Sequence, residues 1–166
     1  MAETIALVAN VALALSLVVG LVFGIAQVRA AARDRRERLT LEALRGFQSR
    51  DFVELMQYII AHDIPKSRAE MSALPDREQV VFLQCSQAME MLGLLVAERL
   101  IDLDLVERTL GSFVTTSWEK LKSITVDVRQ TDPFLHEYFQ WLAERIGERM
   151  SRHPRRPFHE TGPRPT

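Results

Sequence analysis

The sequence predicts an all-α protein, with one N-terminal transmembrane helix followed by a cytosolic antiparallel bundle of about four helices. Three observations carry this. No ionisable side chain occurs between Ile5 and Val28, apolar residues beyond that stretch recur at helical spacing, and proline, glycine and capping residues divide the remainder by short connections. A chain of 166 residues with 47% hydrophobic and 26% charged side chains has the length of one compact domain beyond its apolar segment. The single cysteine, Cys85, closes no internal disulfide, so apolar burial must hold the fold.

Residues 1–4 form a short tail and residues 5–28 the transmembrane helix. At about 1.5 Å per residue, 24 residues give a helix of about 36 Å, enough to span a bilayer with slight tilt. A cleaved signal peptide is the rival reading, because Ala30, Ala31 and Ala32 supply small residues for a cleavage site. Such peptides have a basic start and an apolar stretch of roughly 7 to 15 residues, and this segment has neither. A buried core helix would need the rest of a small chain to cover an all-round apolar cylinder. Within the span Ala12, Ser16, Gly20 and Gly24 recur every four residues, a face on which another backbone can approach closely. The expected occupant is another membrane protein or a second copy.

Residues 29–50 read as a basic juxtamembrane helix. Arg29, Arg33, Arg35, Arg36 and Arg38 follow the span at once, whereas only Glu3 and the amino terminus precede it. The positive-inside bias therefore puts the C-terminal domain in the cytoplasm, and the same arginines are candidates for contact with anionic lipid head groups. Gly46 and Ser49 interrupt the pattern, so a break precedes a helix carrying Phe52, Leu55, Met56, Ile59 and Ile60.

Residues 51–152 hold the bundle. The helix from position 52 ends near Asp63, because Pro65 disfavours helix at Ile64. Ser67 and Glu70 have capping-box spacing, yet Pro75 leaves room only for a short turn. A long helix is expected from about Asp76 to Leu100, with Val81, Cys85, Ala88, Leu92, Leu95 and Val96 on one stripe and Phe82, Met89 and Met91 widening it. Asp102 or Asp104 caps the next helix, which buries Val106, Leu110, Phe113, Val114, Ser117, Leu121 and Ile124 with Trp118 at the edge. Asp132 and Pro133 read as cap and first-turn residue of a last helix, with Leu135, Tyr138, Phe139, Leu142 and Ile146 inward. Residues 153–166 change to proline, arginine and polar residues and are expected to form a disordered basic tail; within it Pro154–Pro157 has P-x-x-P spacing.

Charge by segment narrows the function classes. Residues 51–150 are strongly acidic, with ten Lys or Arg against seventeen Asp or Glu, which repels phosphate backbones, so no nucleic-acid partner is expected. Arginine far outnumbers lysine, a skew of GC-rich genomes that hints at a bacterial source. His136 and Glu137 open like a zinc-protease helix, but the second histidine of that motif would fall at Gln140. His62 reads as a helix-end residue and Cys85 as a packing residue. No nucleophile elbow, phosphate loop or dinucleotide fingerprint occurs, and no Glu-x-x-His pair for a two-metal bundle site. Catalytic residues, metal and cofactor are therefore expected to be none. Glu90 and Glu98 lie near the apolar stripe and are expected in solvent or against an arginine such as Arg99 or Arg108. Trp118, Phe139 and Trp141 are the candidates for a small pocket.

The stretches LEALRGFQSRDF (Leu41–Phe52), MLGLLVAERLIDLDLVERTLGSFVTTSWEKL (Met91–Leu121) and FLHEYFQWLAER (Phe134–Arg145) resemble a bacterial family of unknown function, made of short proteins with an N-terminal membrane helix and an all-helical cytosolic domain. The resemblance implies architecture and no activity, and it carries over no functional residue. The expected function class is a membrane-anchored interaction or scaffold protein in the bacterial inner membrane, an accessory subunit or homo-oligomer without catalysis of its own. A membrane-associated lipid or small-ligand sensor is the alternative, and an enzyme lacking a recognisable motif comes third. If residues 5–28 remain in lipid, carbonate washing should leave the intact chain in the membrane pellet; release to the supernatant, or a mature chain starting beyond Ala32, would overturn that assignment.

Overall fold

The computed structural model describes residues 1–154 and 156–162. Among the described residues the chain is all-helical: α1 (Ala2–Gly46), α2 (Arg50–Ala61), α3 (Arg68–Ser72), α4 (Asp76–Ala97), α5 (Leu103–Val128), α6 (Glu137–Arg152) and α7 (Phe158–Thr161). The chain forms two compact units, Met1–Leu39 and Thr40–Thr166. The first is helical throughout its length after Met1. Its apolar side chains Leu13, Leu17, Leu21 and Phe23 are all exposed. Among the described residues two helices are long and apolar enough to cross a membrane: α1, over Ala12–Gly46, with none of its most apolar window buried, and α4, with 39% of its window buried. The last turns of α1 belong to the second unit, where Leu44 is buried.

The break after α1 falls at the expected place. Ser49 caps α2 by accepting from the Phe52 amide at 3.3 Å, which satisfies an N–H that the helix itself leaves unpaired. Lys120 of α5 closes the other end of α2, donating from Nζ to the carbonyls of Ile59, Ile60 and His62 at 2.9, 2.6 and 3.0 Å; a cation there also opposes the helix dipole. His62 stacks on Tyr58 with ring centres 4.1 Å apart. Ser67 caps α3 through the Glu70 amide, and Glu70 returns a carboxylate to the Lys66 amide, the reciprocal pattern of a capping box displaced by one residue.

Four helices, α2, α4, α5 and α6, enclose the core. Tyr58 near the end of α2 donates to Glu78 at the start of α4, so these two run in opposite directions. Arg149 near the end of α6 meets Asp104 and Glu107 at the start of α5, while His136 just before α6 meets Thr125 near the end of α5; α5 and α6 are antiparallel too. Ile59, Met89, Leu92, Val106, Leu121, Phe139 and Ile146 are almost or wholly removed from solvent. Cys85 is fully buried among them, and burial pushes its thiol up to about 12, so it packs as a small apolar side chain.

Three expectations need correction. Helix α4 stops at Ala97 rather than near Leu100, because Arg99 takes a left-handed φ of 58°. The Leu100 and Arg99 amides then return to the Leu95 and Val96 carbonyls, a Schellman closure made with arginine in the place glycine usually holds. Met91 does not widen the buried stripe; it is 56% exposed. Helix α6 begins at Glu137, not at Asp132–Pro133: the Asp132 carboxylate accepts from the Phe134 amide in a local turn, and His136, with φ 56°, interrupts any helix entering from the proline side. Part of the Pro154–Pro157 motif, Arg155, and residues 163–166 of the tail lie outside the described residues, and α7 occupies the portion before them.

Helices α4 and α6 pack most extensively, and Gly93 permits it: a Cβ there would overlap the Tyr138 carbonyl and lie 3.0 Å from Tyr138 Cβ. Backbone cannot retreat as a flexible side chain does. Gly93→Ala should therefore lower stability by about 2–4 kcal/mol in urea unfolding. Gly111→Ala, whose added carbon would sit 3.4 Å from Ile146 Cγ2, should change it by no more than about 1 kcal/mol. Equal effects at the two positions would contradict the close approach.

Candidate functional site

A long groove follows the outward side of α4 and has two lobes. The first, about 460 Å³, has Phe82, Leu121 and Ile124 in its wall and Met71 and Val80 at its rim. The second, about 600 Å³, runs past Met91 and Leu94 and is flanked by Phe134 and Tyr138. Leu83, Ser86, Leu135 and His136 line both. The groove exists because α4 is apolar on two sides. One side carries the core residues; the other presents Val80, Leu83 and Met91, which are 49%, 57% and 56% exposed. Phe134, at the tip of the α5–α6 connection, is 72% exposed beside them.

Hydrogen bonds hold that connection in place. Arg129, the C-cap of α5, donates from Nε to the Leu135 carbonyl at 2.9 Å and from its guanidinium to Gln140 Oε1 at 2.5 Å. Glu90 of α4 accepts from the Tyr138 and Phe139 amides at 3.2 and 2.8 Å, which caps α6 with a carboxylate from another helix and sets negative charge at its positive end. Glu90 thus takes the α6 N-terminus as partner, not an arginine.

His136 stands where the lobes meet. Its Nδ1 lies 2.9 Å from Thr125 Oγ1, and that hydroxyl donates to the Leu121 carbonyl. The hydroxyl has one proton, so Nδ1 carries the hydrogen and donates to Thr125. Burial, followed by the nearby Arg129 guanidinium, lowers the His136 pKa to about 4, with Asp132 acting in the opposite sense. The ring is neutral at pH 7. A left-handed backbone, a half-buried neutral imidazole and a groove wall coincide at one residue, a combination found at binding sites more than in plain core. Among the described residues no three His, Cys, Asp or Glu side chains group as a metal-ligand set.

The sequence-derived candidates lie elsewhere. Trp118 and Phe139 are both buried and pack edge to face at 5.3 Å, and Trp141 is 39% exposed on α6. None of the three lines either lobe; the two inner rings fill core space in place of enclosing a pocket. Ala12, Ser16, Gly20 and Gly24 lie on the exposed surface of α1, with no atom within 4 Å of a Cβ added at Gly20 or Gly24. Arg29, Arg33, Arg35 and Arg38 are exposed on the same helix, Arg33 pairing with Glu37 at 3.0 Å, and Arg36 is half-buried. The groove itself left one trace in the sequence: Val80, Leu83 and Met91 are apolar positions beyond what a single buried stripe needs.

A family model described as a domain of unknown function, DUF4760, matches residues 14–146. No curated protein and no solved structure matches the chain.

The His136 environment has a consequence for acid stability. Its pKa in the fold lies below the ordinary 6.5, so the unfolded chain takes up this proton first. The contribution is complete above about pH 6.5 and is lost as pH falls toward 4, amounting to about 2 kcal/mol after allowance for partial exposure. Asparagine tolerates left-handed backbone and keeps a donor; His136→Asn should flatten the urea midpoint between pH 6.5 and 4. An unchanged slope would show that carboxylates alone set the acid limb.

Proposed function

We propose, for a chain that belongs to the DUF4760 family, that it is a membrane-anchored helical docking protein. In this reading α1 holds it in the bacterial inner membrane as a single-pass protein, the bundle is cytoplasmic, and the α4 groove receives an apolar surface of a protein partner. The chain acts as a scaffold or accessory subunit without a reaction of its own. The observation that carries this is the outward apolar face of α4 with Phe134 beside it. Water contact with Val80, Leu83, Met91 and Phe134 costs about 25 cal/mol per Å² of apolar area, and an apolar partner relieves it. Clustered aromatic and aliphatic side chains on a rigid helix are the usual centre of a protein interface.

The bilayer contributes through geometry. An anchor at residues 5–28 confines encounters to the membrane plane and raises the effective concentration of any partner held in the same membrane. The arginines at 29–38 orient the chain by the positive-inside bias, and the small-residue face of α1 gives a lateral contact for a second copy or another membrane protein.

The lobe at Met71, Val80 and Leu135 supports a second reading, a small apolar ligand oriented by His136. About 460 Å³ is an ordinary size for such a site, and ligand occupancy would make the protein a membrane-associated sensor. Anionic-liposome binding unaffected by Arg-to-Gln changes at 29–38 would remove the lipid-sensing form of it.

Leu83→Glu with Met91→Glu in the full-length chain tests docking. Wild-type protein purified in mild detergent should elute with a stoichiometric partner or as a homo-oligomer, and the double variant should elute alone with an unchanged melting temperature. Repeated recovery of wild-type monomer would refute the proposal.

A further inference from the structure

We infer that Arg152 and Arg156, in the tail that begins at the end of α6, rest on anionic head groups of the bilayer that holds α1. This rests on the anchored reading of α1 and adds a second membrane contact to it. Tertiary contacts bring the tail to the place where the chain arrives from the span. Thr40, where the chain passes from the first unit to the second, is fully buried, and its hydroxyl accepts from the amide of Asp102, the N-cap of α5, at 2.9 Å. Arg149, in the last turn of α6, pairs with Asp104 and, at 2.7 Å, with Glu107. Entry and exit are therefore both fixed to the first turns of α5.

Reach and charge complete the argument. Twelve residues separate Val28, the last of the apolar span, from Thr40, about 18 Å measured along the helix, and the head-group layer lies nearer still. Arg156 stands seven residues beyond Arg149, up to about 23 Å of extended chain. Residues 151–166 carry four arginines against Glu160, whereas residues 51–150 carry ten Lys or Arg against seventeen Asp or Glu. An anionic surface repels the bundle and attracts the tail. Carboxylates of the bundle near the end of α6 are already engaged: Arg149 holds Asp104 and Glu107, and Glu148 is shared by Arg145 and Arg152 at 3.8 and 3.7 Å, all three exposed. Arg156 is exposed, and no ion pair among the described residues engages it. Each basic side chain at an anionic leaflet raises the ratio of bound to free tail about fivefold.

Full-length protein reconstituted into vesicles tests the contact. Thr161→Cys carries a donor dye, Cys85 being fully buried, and energy transfer to an acceptor on the lipids reads the distance from tail to bilayer. Vesicles containing phosphatidylglycerol should give roughly twice the transfer of phosphatidylcholine alone, and concentrated chloride should remove the difference by screening. Arg152→Gln with Arg156→Gln should bring the anionic vesicles down to the phosphatidylcholine value at an unchanged melting temperature, since both side chains are exposed. Inorganic phosphate should release the tail no better than chloride at equal ionic strength; better release would mean a discrete phosphate site and overturn the surface contact. A dye at Gln130→Cys, just past the other end of α5, should give the same transfer in both vesicles. If it changes together with the tail dye, the whole bundle moves on the arginines at 29–38 and the tail assignment fails. Equal transfer from Thr161→Cys in both vesicles, or no loss in the double variant, overturns it as well. Should carbonate release the reconstituted chain, the anchored reading falls and this contact with it; a chain that stays embedded while its tail ignores lipid charge refutes the tail contact alone.

Discussion

The Glu90 carboxylate accepting two amides at the start of α6 is the contact on which the remaining architecture depends. A helix N-terminus has four amides without intrahelical partners, and α6 is deprived of a local cap because His136 enters it in a left-handed conformation. A charge from α4 fills that role. It draws the two helices so near that the next turn of α4 must be glycine, at Gly93. Seating α6 there places Phe139, Leu142 and Ile146 in the core, and it draws the preceding connection over α5, where Arg129 and Thr125 hold it.

The groove is a by-product of the same arrangement. Once α6 and α5 have taken the inner face of α4, the outer face is flanked by α3, the end of α5, the α5–α6 connection and the first turn of α6, and these leave Val80, Leu83 and Met91 about half exposed or more. The connection itself displays Phe134 because the Asp132 turn lifts it from the surface. Polar groups in the wall are satisfied internally: Ser86 donates to the Phe82 carbonyl and Thr125 to that of Leu121. A site built this way suits apolar contact in preference to polar recognition, since no convergent set of unpaired donors awaits a charged substrate.

Most of the helices were legible in the sequence, because helical periodicity and cap chemistry are local. The Gly46–Ser49 break, the Asp102 cap and the buried stripe of α5 depend only on neighbours along the chain. Errors arose where a distant residue overrode a local signal. Asp132–Pro133 has the composition of a helix start, but its carboxylate serves a two-residue turn and Glu90, far away in sequence, caps the helix four residues later. Trp118 and Phe139 have the spacing of either core or pocket, and only their mutual edge-to-face contact chose core.

By itself the sequence determined an apolar N-terminal helix long enough for a bilayer, an all-helical remainder and family membership, since length, periodicity and caps are properties of contiguous residues. Tertiary structure alone decided which of the two apolar sides of α4 would be buried. Both sides have similar composition, and the choice was made by the Glu90 and Gly93 contacts with α6, a pairing between segments more than forty residues apart. That choice left Leu83 and Met91 outside, and with them the groove.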